Sequence, residues 1–126
     1  MQFKALEASK KAVQLIREKN VSITEINTIE KFNDIITQKK PLVIKCSSDY
    51  CPPCKMVKPH YVKAAAELGD TITFAELDLA KVPVMQQLNI KMIPAFVLYR
   101  NGKQVTMFAG FKEKAALVEE FKKLIS

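Results

Sequence analysis

The sequence predicts an α/β domain in which helices flank a central mixed β-sheet. Three observations carry this expectation. Segments of helical and strand periodicity alternate along the chain. Leu42-Val43-Ile44 is a short, wholly apolar run, as expected of a strand buried on both faces. Asn101-Gly102 stands between two strand-like segments as a hairpin turn signal. At 126 residues the chain has the size of one domain. That length can bury a core without disulfide staples or metals.

Taken in order, residues 3–19 fit a helix with Ala5, Leu6, Ala8, Ala12, Val13, Leu15 and Ile16 on one side. Val21, Ile23 and Ile26 suggest a strand, and Thr28 can cap a short helix running through Gln38. The strand at Leu42-Val43-Ile44 leads into Cys51-Pro52-Pro53-Cys54, which opens a helix expected from Cys54 to Leu68. Pro59 should kink that helix, because it lacks a backbone donor and crowds the preceding turn. Residues 72–77 alternate as a strand, 82–88 read as a short helix, and 95–99 as a strand. After the hairpin, 105–109 form the return strand, Gly110 breaks it, and 112–125 close the chain as an amphipathic helix. The expected division is an N-terminal helical extension, 1–20, and one domain, 21–126.

Composition excludes several classes. The net charge of +7 could favour nucleic acid. The lysines, however, are scattered and no aromatic-interleaved basic stripe occurs, so nucleic-acid binding is not expected. No apolar run approaches the roughly 20 residues that span a bilayer, so no membrane role is expected. The N-terminus lacks a continuous apolar stretch of the secretory kind. A cytoplasmic location is expected, or an organelle if the N-terminal helix is a targeting segment. Three cysteines form no disulfide framework, and a C-x-x-C pair in a non-secreted chain points to redox or metal chemistry.

Redox chemistry fits the motif's position. The thiolate is the attacking species, and a helix N-terminus stabilises it with partial positive charge and free N–H groups. Cys51 lies where a strand ends and a helix begins, and Cys54 follows one turn later. Cys51 is therefore expected to attack a substrate disulfide, and Cys54 to resolve the mixed disulfide. Pro52 suits the first helical position. Pro53 removes a second donor, leaving the Cys54 N–H nearest the Cys51 sulfur. Fewer donors raise the thiol pKa, and one pKa unit is worth about 1.4 kcal/mol, or about 30 mV in a two-electron couple. The metal alternative is a zinc site on Cys46, Cys51, Cys54 and His60. Against it, Cys46 sits on the apolar strand run and His60 well down the helix.

With these pieces together, the chain resembles a thioredoxin from about Val21 to Ser126. The match rests on Tyr50-Cys51-Pro52-Pro53-Cys54-Lys55-Met56, Pro59, Ile93-Pro94, Asn101-Gly102-Lys103 and Gly110. The resemblance implies a thioredoxin-like fold and a cis peptide at Pro94 beside the dithiol. It also implies a substrate-binding face of Tyr50, Pro52, Pro53, Met92, Ile93, Pro94 and Gly110. Electrons would come from a flavin- and NADPH-dependent reductase, and clients would include peroxiredoxins. The protein itself would need no cofactor beyond its redox-active disulfide, and a monomer is expected. A redox-inert thioredoxin-like binding module is the alternative, against which the intact dithiol stands.

The departures are specific. Where thioredoxins usually carry Trp-Cys-Gly-Pro-Cys, this chain has Tyr50 and Pro52. Its Cys-Pro-Pro-Cys resembles that of tryparedoxins, whose Trp and longer insertions are missing. The family's buried Asp, six residues before the first cysteine, is Lys45, and its lysine partner is Glu76. The resemblance therefore implies a sign-swapped ion pair under the dithiol, with Lys45 or Glu76 handling the proton of Cys54. A nearby lysine would lower the thiol pKa, opposing Pro53. Met92 makes the rim before Pro94 bulkier and more apolar than the glycine usual there. The N-terminal helix lies outside the family core and is expected to cover a sheet edge.

Overall fold

The computed structural model describes residues 21–126, so the expected N-terminal helix and the role of residues 1–20 lie outside the described residues. Eight elements follow one another: β1 (Ile23–Ile26), α1 (Ile29–Ile35), β2 (Leu42–Ser47), α2 (Pro52–Leu68), β3 (Thr73–Asp78), β4 (Ala95–Arg100), β5 (Lys103–Ala109) and α3 (Lys114–Lys122). The strands form one five-stranded sheet ordered β1-β3-β2-β4-β5. β1, β3 and β2 run parallel, while β4 and β5 pair antiparallel at the other side. The sheet is mixed, as the sequence predicts.

β2 lies in the middle, and Leu42, Val43 and Ile44 are all buried. Because side chains alternate across a strand, β2 feeds two cores. Leu42, Ile44 and Cys46 pack on one face with Phe32 and Ile35 of α1. Val43 packs on the other with Phe74, Phe96, Tyr61 of α2 and Phe121 of α3. Lys45 shares parity with Val43, so it lies on the α2 face, beneath the helix that carries the cysteines.

Local rules account for most boundaries. Thr28 caps α1 by accepting the Lys31 N–H at 3.1 Å. Asn101 and Gly102 adopt φ of 55° and 76°. Two successive positive φ values define the tight turn that matches the twist of a two-stranded ribbon, and the Asn-Gly pair favours it. Tyr61 fills the centre of the α2-side core, its ring 5.7 Å from those of Phe74 and Phe96. Its buried hydroxyl donates to Ala75 O at 2.7 Å, with Val43 O at 3.3 Å, which satisfies the polar atom within an apolar layer.

One expected element is absent. Residues 82–88 form turns rather than a helix. Pro83 has no N–H and biases Val82 away from the helical region. A single helical bond, Leu88 N–H to Val84 O at 2.9 Å, is followed by irregular ones. Asn89 then turns left-handed at φ 57°. The apolar spacing that suggested a helix instead serves the core, where Val82, Val84, Leu88 and Ile90 are all buried. The other helices differ at their ends: α1 stops at Ile35 rather than Gln38, and α3 spans 114–122 rather than 112–125. α2 begins at Pro52, two residues before the expected start, because Cys51 itself is the cap.

Candidate active site

Cys51 ends the strand-to-helix connection with φ −112° and ψ 102°, and its sulfur accepts the Cys54 N–H at 3.2 Å. Pro52 and Pro53 occupy the first two helical positions. Both lack a donor, so Cys54 supplies the first free N–H of the helix, as the sequence predicts. The two cysteines are bonded to each other, with their Cα atoms 5.2 Å apart, within the usual range for a disulfide. Both are buried, Cys51 at 7% and Cys54 at 3% exposure. Pro52, Pro53 and Tyr50 are exposed around them, Tyr50 almost fully.

The Ile93-Pro94 peptide is cis. The Ile93 carbonyl lies 3.8 Å from Cys51 Sγ, where it becomes an acceptor for the thiol proton once the disulfide is reduced. Pro94 O accepts the Gly110 N–H at 2.8 Å. Gly110 holds φ at 98°, a left-handed conformation that favours glycine. A Cβ there would meet Met92 Sδ at 4.0 Å. Met92, Ile93, Pro94 and Gly110 are thus gathered on one side of Cys51, and Met92 is largely exposed.

On the other side, Lys45 and Glu76 are register neighbours across β2 and β3. Lys45 Nζ stands 3.7 Å from Glu76 Oε1, and Lys58 Nζ stands 3.8 Å from the same oxygen. Neither distance is a hydrogen bond, and Glu76 Oε1 is buried without a hydrogen-bond partner among the described residues. Lys45 is 3% exposed. Burial lowers its pKa below the ordinary 10.5, Glu76 partly offsets this, and the Lys58 charge pushes it lower again. These groups and Cys54 line one open cavity of about 250 Å³. The two groups predicted to pair under the dithiol therefore do meet, along a cavity that Cys54 also lines.

Lys58 is the member that sequence reading missed. Its signal was available: it lies four residues after Cys54, on the same face of α2. Cys46 is free, and burial pushes its thiol up to about 12, which makes it a poor nucleophile. His60 Nδ1 accepts the Lys114 N–H at 3.0 Å. Among the described residues no three His, Cys, Asp or Glu side chains are grouped to hold a metal ion, so Cys46, Cys51, Cys54 and His60 do not form the alternative zinc set.

Comparison with known proteins gives a consistent picture. The family model described as Thioredoxin matches residues 22–123. Thioredoxin AMT13 of Alternaria alternata is 36% identical over 98 residues, covering 76% of this chain and 82% of that protein. The bifunctional thioredoxin reductase/thioredoxin of Mycobacterium leprae is 31% identical over 109 residues, covering 85% of this chain but 24% of that longer protein. A solved chain aligns with TM-score 0.73 and 28% identity, over 82% of this chain and 96% of its own length. It comes from a structure described as the basis of thiol resolution in a yeast mitochondrial 1-Cys peroxiredoxin through the glutathione and thioredoxin systems.

Proposed function

Since the chain belongs to the thioredoxin family, a family of protein disulfide oxidoreductases, we propose that it reduces the disulfides of client proteins, with Cys51 attacking and Cys54 resolving. The observation that carries this reading is the bonded Cys51–Cys54 pair at a helix N-terminus, beside a cis-proline. In the dithiol form the Cys51 thiolate attacks one client sulfur. The client S–S bond breaks, and the departing sulfur takes a proton. Cys54 then loses its proton and attacks Cys51 Sγ, which forms the Cys51–Cys54 bond and releases the second client thiol. Two electrons and two protons pass from protein to client, and an external reductant must restore the dithiol.

The client segment lies along Met92, Ile93, Pro94 and Gly110, with Tyr50, Pro52 and Pro53 on the opposite rim. Lys45 and Glu76 handle the proton of Cys54 across their shared cavity. A lysine whose charged form is disfavoured by burial releases a proton readily, and the neighbouring carboxylate can accept one. The reductant is a flavin- and NADPH-dependent thioredoxin reductase. The fusion of the two activities in the Mycobacterium leprae relative supports that pairing, and the yeast structure supports peroxiredoxins as clients. The functional unit is a monomer spanning 21–126.

Insulin reduction by dithiothreitol tests this reading. The wild-type protein should accelerate the reaction, whereas Cys51→Ser, which lacks the nucleophile, should fall to the dithiothreitol background. Equal rates for the two would contradict it.

A further inference from the structure

The segment from Gly110 to Lys114 runs between β5 and α3, and it is tied down at both ends. Gly110 N–H bonds to Pro94 O at 2.8 Å, which fixes one end to the cis-proline. Lys114 N–H bonds to His60 Nδ1 at 3.0 Å, which fixes the other end to α2, the helix that begins at the dithiol. Between the two ties sits Phe111, which is 41% exposed. Its ring lies 5.4 Å from that of His60 in an edge-on arrangement.

The His60 bond substitutes for an ordinary helix cap. Glu113 occupies the cap position of α3 yet makes no side-chain cap hydrogen bond. One of the N–H groups left open at the start of α3 is instead satisfied from a residue 54 positions earlier in the chain. His60 is the chain's one histidine. A neutral imidazole can accept this bond, whereas an imidazolium donates from both nitrogens and cannot. It would also place a positive charge against the positive end of the α3 dipole.

The charged groups around this junction are known. Lys63 and Glu67 follow His60 on α2, while Lys112, Glu113 and Lys114 lie at the start of α3. Lys114 Nζ is already paired with Glu67 at 3.5 Å, and Lys112 Nζ lies over the Phe108 ring at 5.6 Å. Glu113 sits at the cap of α3 itself, next in sequence to the Lys114 N–H that His60 accepts.

We infer that His60 is a positioning residue for disulfide exchange, a proton-sensitive clasp that holds Phe111 at the rim of the client groove beside Pro94 and Gly110. In its neutral form it fixes the 110–114 segment at the end away from the Pro94 tie. When protonated it releases the start of α3, and Phe111 no longer presents a fixed apolar wall to a client segment. The inference rests on the disulfide-exchange reading, because the groove matters only if clients are bound there. Chemistry at Cys51 itself is untouched, so small disulfides that do not reach the rim are unaffected.

The test compares two substrates of the pre-reduced protein between about pH 5 and about pH 8. One is bis(2-hydroxyethyl) disulfide, which is neutral and small. The other is a capped peptide closed by one disulfide and carrying no titratable side chain. Their rate ratio cancels the titration of Cys51. In the wild type the peptide-to-small-disulfide ratio should fall by about threefold to tenfold on acidification, the worth of a typical hydrogen bond. His60→Asn keeps an acceptor but does not titrate, so its ratio should stay high and flat. Phe111→Ala keeps His60, yet its ratio should be low and independent of pH. A flat wild-type ratio would overturn the inference, as would the same fall in either variant. No reduction of the small disulfide at all would overturn the disulfide-exchange reading and this inference with it, a result distinct from a flat ratio.

Discussion

The two flanks of the Cys51–Cys54 pair are built from opposite materials. On the Pro94 flank, Met92, Ile93 and Gly110 present backbone and apolar side chains at an open surface, and the polar contact to Cys51 is a backbone carbonyl. On the Cys54 flank, Lys45, Lys58 and Glu76 place three charges along a cavity, with Lys45 almost fully buried. An apolar, open flank suits recognition of an extended segment, where main-chain bonds give affinity and side-chain pockets give preference. A charged, recessed flank suits proton transfer, where pKa values can be moved by burial and by neighbouring charges. On the proposed reading, the client's contacts fall to one cysteine and the proton's route to the other.

The largest expected effect that could break this division comes from Glu76→Gln. It keeps the shape but removes the carboxylate that Lys45 and Lys58 share. Resolution by Cys54 should slow by about tenfold to a hundredfold near neutral pH, toward the low end of general acid–base effects. The first attack by Cys51 should change little. Stopped-flow measurement of mixed-disulfide formation and decay separates the two steps. A change confined to the first step would reverse the assignment.

A smaller effect is expected from Met92→Ser on the other flank. Fully burying a methionine is worth about 1.5–3 kcal/mol, and a rim contact buries only part of it. The KM for a peroxiredoxin or insulin client should rise by about threefold to tenfold, with the pH profile of resolution unchanged. A shifted pH profile would show that the flanks are not separate.

How far the sequence revealed these flanks follows from the physics of each feature. The dithiol and its strand-to-helix placement were legible from the residues, because few residue types can do what those positions require, whereas the cis peptide at Pro94 was legible only through the family resemblance. The burial of Lys45 on the α2 face came from the structure: parity with Val43 on a strand sets its face but not its depth. Its pairing with Glu76 was legible only through the family resemblance, since strand register is set by the whole sheet. The segment 82–88 imitates a helix because its buried apolar residues fall at helical spacing, and Pro83 is what prevents one. The tie between His60 and Lys114 had no sequence signal. It joins residues far apart in the chain and depends on how α2 meets α3.

Trapping the exchange intermediate tests the central claim most directly. Cys54→Ser should attack an oxidised client but fail to resolve, leaving a stable mixed disulfide that peptide mass spectrometry can map. The expected result is one client adduct on Cys51 and none on Cys46, whose thiol is buried and pushed up to about 12. An adduct on Cys46, or no adduct at all, would contradict the account.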